Sequence, residues 1–361
     1  MRVAIDAREL CGHVTGVGRY LSELLNAWAT SDRARRHEWT LIAHGPIRGA
    51  REWPFTTVIA EGSGATAWEQ WTLPRAVAAT KADVLFSPGY TAPLTVTAPL
   101  VLTIHDVSYF AHPEWFSFRE GTRRRLLTRW AARRARKIIT ISQFSKEQIA
   151  RYVGVTNIQP IPLGMNVDGS TGRLDEPVKR GSTVLYVGSI FKRRRVDRLI
   201  AAFDQVVAQV PEAKLEIVGE NRTPGLDLER LRRQARHADR ISIRSYVDEA
   251  TLAALYRDAG AFVFLSEYEG FGLTPMEALA AGVPPVVLDT PVARETYGDA
   301  AGYVSAAASN DDIAAAITRM LTHEATRSGV LSHLPALRRR YDWSQTAEGT
   351  LSVLEEAALG R

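Results

Sequence analysis

Two glutamates, Glu269 and Glu277, stand eight residues apart around a glycine-rich turn, Ser266-Glu267-Tyr268-Glu269-Gly270-Phe271-Gly272-Leu273-Thr274-Pro275-Met276-Glu277-Ala278. The turn follows an apolar run, Phe262 to Leu265, and leads into a helix expected to begin near Pro275. Such a passage points backbone amides and the positive end of a helix at an anion. A carboxylate accepts hydrogen bonds from vicinal hydroxyls, so the pair suits two sugar rings on either side of a diphosphate. For Glu277 a second reading stands beside this one, because Thr274-Pro275-Met276-Glu277 also matches a capping box with proline at the first helical position. Glu269 has no comparable local explanation.

Three further segments carry chemistry. Gly188-Ser189-Ile190-Phe191-Lys192-Arg193-Arg194-Arg195 follows the run Val184 to Val187. Four consecutive cations at the end of a strand suit a diphosphate, and equally suit a solvated face. Gly12-His13-Val14-Thr15-Gly16-Val17-Gly18-Arg19-Tyr20 follows the first apolar run and opens a helix carrying Leu21, Leu24, Leu25 and Trp28. It is neither a Walker loop, since no Lys-Ser/Thr follows, nor the full dinucleotide fingerprint, since position 21 is leucine; a plain glycine turn is the alternative. His105-Asp106 closes the run Leu100 to Ile104, where a histidine can bond a sugar hydroxyl or a phosphoryl oxygen, or serve a turn. No Asp-x-Asp sequence occurs, so no metal ligands are expected.

These segments need elements to hold them. In a chain of 361 residues, 45% hydrophobic and 24% charged, disorder is excluded and two domains are expected. Short aliphatic runs alternate with amphipathic stretches, the pattern of parallel sheets covered on both faces. Strands are predicted at Val3–Asp6, Trp39–Ala43, Thr57–Ala60, Val84–Ser87, Leu100–Ile104 and Ile138–Ile141, then at Val184–Val187, Leu215–Val218, Ile241–Arg244, Phe262–Leu265 and Val286–Leu288. The polar stretch Gly169 to Gly181 interrupts them and reads as a linker. The expected fold class is therefore α/β: two Rossmann-like, doubly wound domains, residues 1–168 and 182–343, facing across a cleft.

Charge and cysteine usage set the surroundings. The net charge is +5, and only six of the 45 basic residues are lysine. Arg119 to Lys137 holds eight arginines and one lysine against a single acid, Glu120. That stretch suits contact with anionic lipid headgroups, or an ordinary amphipathic surface helix. One cysteine, Cys11, permits no internal disulfide, and Asp6 interrupts the first apolar run, so a cytoplasmic location is expected, at the inner face of the membrane if the basic stretch meets lipid. A basic nucleic-acid-binding protein is disfavoured, because no recognition module or aromatic stacking platform accompanies the arginines.

Taken together, Gly16 to Tyr20 (GVGRY), His105 to Ser117 (HDVSYFAHPEWFS), Ile139 to Glu147 (ITISQFSKE), Tyr186 to Arg195 (YVGSIFKRRR) and Ser266 to Val287 resemble the retaining glycosyltransferases of family 4, over essentially the whole chain. The resemblance implies the GT-B fold, with a C-terminal helix from about Ser344 to residue 361 crossing back to the first domain. It implies that Glu269 contacts the transferred sugar, that Glu277 holds the nucleotide ribose, and that Gly16, Gly188 and the turn Gly270, Phe271, Gly272, Leu273 and Thr274 meet the diphosphate. His105 would lie beside the reacting sugar. The family's usual Arg-Lys pair is replaced here by Arg193-Arg194, which keeps the charge and changes the fork geometry.

The resemblance further implies transfer of a hexose from a nucleotide sugar, with retention and without a metal or other cofactor. The HDVSYF…HPEWFS segment looks most like bacterial mannosyltransferases of polysaccharide and lipopolysaccharide assembly. GDP-mannose is accordingly the first expected donor and UDP-sugars the second, with a saccharide or lipid-linked saccharide as acceptor partner. A nucleotide-sugar epimerase or hydrolase on the same fold is the enzymatic alternative. The sequence leaves the oligomeric state open.

Overall fold

The computed structural model describes residues 1–12, 16–47, 53–165 and 181–360. The chain divides into two compact units, Met1–Gly164 with Tyr341–Arg361, and Met165–Arg340. The linker stretch Gly169 to Gly181 lies outside the described residues except for Gly181.

The first unit is built on strands β1 (Arg2–Asp6), β2 (Glu38–Ala43), β3 (Thr56–Ile59), β4 (Val84–Ser87), β5 (Leu100–Thr103), β6 (Lys137–Thr140) and β7 (Ile158–Pro160). Their order is β3-β2-β1-β4-β5-β6-β7, and every pairing is parallel. The central strands VLFS and LVLT are buried along their whole length, because helices cover both faces of a parallel sheet and leave no solvent side to alternate with. Strand order reverses between β1 and β4, which places the chain's crevice at their carboxyl ends.

The second unit repeats the plan with β8 (Thr183–Val187), β9 (Lys214–Val218), β10 (Ile241–Arg244), β11 (Ala259–Phe264), β12 (Pro285–Leu288) and β13 (Gly302–Val304). The order is β10-β9-β8-β11-β12-β13, again parallel throughout. Here the reversal falls between β8 and β11. Both units are thus Rossmann-like. The sequence-predicted strands all occur, within a few residues at their ends; β7 and β13, three-residue strands at sheet edges, were not predicted.

The helix Trp343–Ala358 belongs to the first unit. Asp342 caps it by accepting from the Gln345 amide at 3.1 Å, and Leu351, Val353, Leu354 and Ala357 are buried. The Trp28 indole donates to the Ala347 carbonyl at 3.0 Å, and Thr346 Oγ1 to the Pro162 carbonyl at 2.7 Å. Arg33 binds Glu348 and Glu355 together. At Gly164 a Cβ would stand 2.3 Å from the Trp343 ring, so only glycine permits this approach.

Candidate active site

The second unit gathers most of the predicted residues at the β8/β11 reversal. Gly188 follows β8 beside the Arg194 guanidinium, and Ser266 to Glu269 leave the end of β11. Arg194 Nε donates to Glu269 Oε1 at 2.9 Å, and Ser266 Oγ donates to the same oxygen at 2.8 Å. Arg194 Nη1 also donates to the Ser189 carbonyl at 2.8 Å, and the guanidinium lies 4.9 Å from the Phe264 ring centroid. Only 15% of the Arg194 side chain is exposed. Burial alone would depress its pKa, but the Glu269 and Tyr186 oxygens outweigh that and hold it above the ordinary value. Burial pushes the Tyr186 phenol up to about 12, against the opposing pull of Arg194.

The four-cation run is therefore not a uniformly solvated face. Lys192 is exposed, while Arg195 Nε donates to Glu267 Oε1 at 2.6 Å and its Nη1 to the Ala306 carbonyl at 2.6 Å. Arg193 stacks on Phe191 at 4.4 Å, and its carbonyl accepts from the Glu267 amide at 2.9 Å. A left-handed Arg195, φ +49°, turns the chain so that neighbouring arginines reach different partners.

The helix of the glycine turn begins at Leu273, two residues before the expected start. Its cap is Gly272, with φ +95°, and no side chain caps it; a Cβ there would stand 2.0 Å from Tyr297 Oη. Thr274 is thus already inside the helix and Glu277 is its fifth residue, which overturns the capping-box reading. Glu277 instead accepts from Tyr256 Oη at 3.4 Å. The first-turn amides have no partners within the helix. A shallow recess, lined by Ser266, Glu269, Phe271, Val287, Thr290 and Tyr297 among others, adjoins the turn.

In the first unit, His105 follows β5 and is buried. Its Nε2 lies 2.8 Å from the Pro88 carbonyl; a carbonyl only accepts, so Nε2 carries the proton and Nδ1 of the neutral ring is an acceptor. Burial lowers the His105 pKa, against the Pro88 bond and the Asp106 charge. Tyr20 meets the ring edge-on at 5.0 Å and Tyr90 lies 5.6 Å away. Gly16 is the first residue of the helix Gly16–Thr30; the rest of that glycine turn, residues 13–15, lies outside the described residues.

Sequence reasoning missed a buried group of three charged residues among the described residues of this unit. Asp6, Arg8 and Glu69 form a bridge in which Arg8 Nη2 lies 2.6 Å from both Asp6 Oδ2 and Glu69 Oε1, and Thr91 Oγ1 donates to Glu69 Oε1 at 2.7 Å. The one available signal was Asp6 itself, an acid closing the first apolar run.

Comparison with known proteins places this geometry. Residues 14–168 match the profile of Glycosyltransferase Family 4 and residues 175–330 that of Glycosyl transferases group 1. The phosphatidyl-myo-inositol mannosyltransferase of Mycolicibacterium smegmatis is 29% identical over 60% of this chain, and that of Mycobacterium tuberculosis H37Rv 30% identical over 61%. The matched regions span 56% and 59% of those relatives' lengths. Sucrose-phosphate synthase of Thermosynechococcus elongatus superposes with a TM-score of 0.79 at 18% identity, covering 100% of both chains. WaaG, a glycosyltransferase of lipopolysaccharide biosynthesis, superposes with a TM-score of 0.75 at 15% identity, covering 98% of this chain and 99% of its own. These likenesses show the GT-B fold. With a family 4 profile over its first half and a group 1 profile over most of its second, the chain belongs to the glycosyl transferases.

Proposed function

We propose that the protein is a nucleotide-sugar-dependent, retaining glycosyltransferase that moves a hexose to a saccharide or lipid-linked saccharide. The observation that carries this reading is the Arg194–Glu269 pair beside the uncapped helix start at Leu273. Glu269 Oε1 is fixed by Arg194 and Ser266, while Oε2 has no hydrogen bond among the described residues. A sugar hydroxyl is the natural donor to it. Arg193, Arg194 and the amides of Gly270 to Thr274 meet the diphosphate, and Thr274 Oγ1, buried without a partner among the described residues, fits a phosphoryl oxygen. Glu277 holds the ribose.

Chemistry follows from charge. As the glycosidic bond breaks, the anomeric carbon gains oxocarbenium character and the leaving diphosphate gains negative charge, which fixed cations and helix-end amides stabilise. The acceptor hydroxyl attacks from the face the diphosphate leaves, and its proton passes to that diphosphate. On the first unit, His105 Nδ1 accepts a sugar hydroxyl and the Gly16 helix start offers amides to a phosphoryl oxygen. No step is assigned to a metal ion, so exhaustive chelation should leave turnover intact.

Relatives whose names include phosphatidyl-myo-inositol mannosyltransferase and the Escherichia coli serotype-specific mannosyltransferase WbdA support mannose as the sugar moved; GDP-mannose is the first proposed donor, before UDP-sugars. A thermal-shift panel of GDP-, UDP- and ADP-sugars tests this, with stabilisation by a GDP-sugar expected. Product formed without acceptor would favour the epimerase or hydrolase reading.

An anionic membrane surface is the proposed second partner. The outward ridge of the helix Phe118–Arg134 reads Arg119, Arg123, Leu126, Trp130 and Arg133, all exposed, with Phe118 83% exposed beside it. Basic residues near anionic headgroups contribute about 1 kcal/mol each. No helix of the described residues is long and apolar enough to cross a membrane. Sedimentation with phosphatidylglycerol vesicles, but not phosphatidylcholine vesicles, is expected; equal binding to both, or none, refutes the contact.

A further inference from the structure

We propose that Glu69 and Arg8 form a site in the first unit that recognises a neutral hydroxyl of the acceptor saccharide; this rests on the glycosyltransferase reading. Asp6 is the last residue of β1 and Thr91 lies in the loop after β4, so the group sits at the first unit's strand-order reversal. In open parallel sheets that is where ligands bind. Glu69 comes from a π-helical turn, Trp68–Thr72, an irregularity frequent at functional sites.

Asp6 and Glu69 are each 2% exposed and share one guanidinium, and burial, with the Glu69 charge, pushes the Asp6 pKa up against the pull of Arg8. Burying such a bridge is often no better for stability than apolar residues of the same volume, so folding alone does not explain it.

Two atoms are left over. Glu69 Oε1 takes both Arg8 Nη2 and Thr91 Oγ1, whereas Glu69 Oε2 has no hydrogen-bond partner among the described residues. Arg8 spends Nε and Nη2 on Asp6 and Glu69, whereas Nη1 has none among them. Neither atom is sealed from solvent. A hydroxyl both donates and accepts, so the hydroxyls of a saccharide match the carboxylate oxygen as donors and the guanidinium nitrogen as acceptors. A fully ionised phosphate has no proton to donate to Oε2. The ligand is therefore a polyol and not an anion.

The test uses the full chain and simple probes: methyl α-mannopyranoside, methyl α-glucopyranoside and inorganic phosphate, followed by saturation-transfer NMR. Wild-type protein should bind a glycoside and ignore phosphate, and Glu69→Gln should weaken glycoside binding at least ten-fold. Arg8→Lys, which keeps the charge against Asp6 but removes Nη1, should do the same. Nucleotide-induced stabilisation, in which neither Glu69 nor Arg8 has a proposed part, should be unchanged in both variants. Glycoside affinity equal to wild type in a folded variant, no glycoside binding by wild type, or binding of phosphate in its place would each overturn the proposal. If no nucleotide sugar stabilises the protein while glycoside binding still depends on Glu69, the glycosyltransferase reading fails and this site stands.

Discussion

The two strand-order reversals of this chain share a topology and differ in the charged side chains they gather. In the first unit two buried carboxylates, Asp6 and Glu69, hold one arginine. In the second, four consecutive cations from Lys192 to Arg195 meet two acids, Glu267 and Glu269. Topology fixes where a ligand binds, and the residues placed there decide its chemistry. Carboxyl oxygens suit hydroxyls and clustered cations suit a diphosphate, which is the division of ligands proposed for the two crevices.

The comparison is most exposed at Glu269. Glu269→Gln should lower sugar transfer at least about 1000-fold, some 4 kcal/mol of transition-state stabilisation, while free nucleotide binds within two-fold of wild type. Near-normal turnover would remove Glu269 from the chemistry and with it the contrast.

Glu277→Gln should weaken nucleotide binding by roughly 1 to 3 kcal/mol, the range for a hydrogen bond to a charged group. The melting temperature should barely move, since Glu277 caps nothing. A fall in stability with unchanged nucleotide affinity in calorimetry would make Glu277 structural.

A paired substitution sharpens the difference. Arg194→Lys loses the fork that joins Glu269 to Ser189 and should cost about ten-fold in nucleotide affinity, or 1.4 kcal/mol. Arg8→Lys should leave that affinity alone. Equal losses in the two variants would mean that the crevices do not divide the ligands as argued.

The smallest effect concerns pH. Burial lowers the His105 pKa in the folded first unit, so the folded state binds this proton less readily than the unfolded chain. Stability from this group is present above the unfolded value near 6.5 and is lost as pH falls through the folded value. Wild type should therefore melt at a lower temperature at pH 5 than at pH 7.5, and His105→Gln should flatten that dependence. Identical profiles for the two proteins would remove His105 as the cause.

How much of this was legible before the structure differs between strands and site. Buried parallel strands announce themselves as apolar runs, so VLFS and LVLT were plain. β7 and β13 were not, because three residues at an edge, one containing proline and the other glycine, carry too little pattern. The glycine turn and its glutamates were readable because their segment is contiguous. The helix start was misplaced because Pro275 is tolerated throughout a first turn, whereas the left-handed Gly272 sets the true boundary. Arg8 and Glu69 lie 61 residues apart in sequence, so no local spacing could pair them.

The helix Trp343–Ala358 has a consequence for synthesis. A ribosome finishes Met1–Gly164 and must then make all 176 residues of Met165–Arg340 before the segment that completes the first unit appears. At roughly 5 to 20 residues per second this interval is about 10 to 35 s. Throughout it the nascent first unit lacks the carbonyl that the Trp28 indole binds and the acids that Arg33 joins. The second unit, contiguous in sequence, can complete first, which reverses the usual order of maturation. A chain broken off anywhere before Tyr341 leaves an apolar face open to chaperones and proteases, so the closing helix doubles as a mark that translation reached this point.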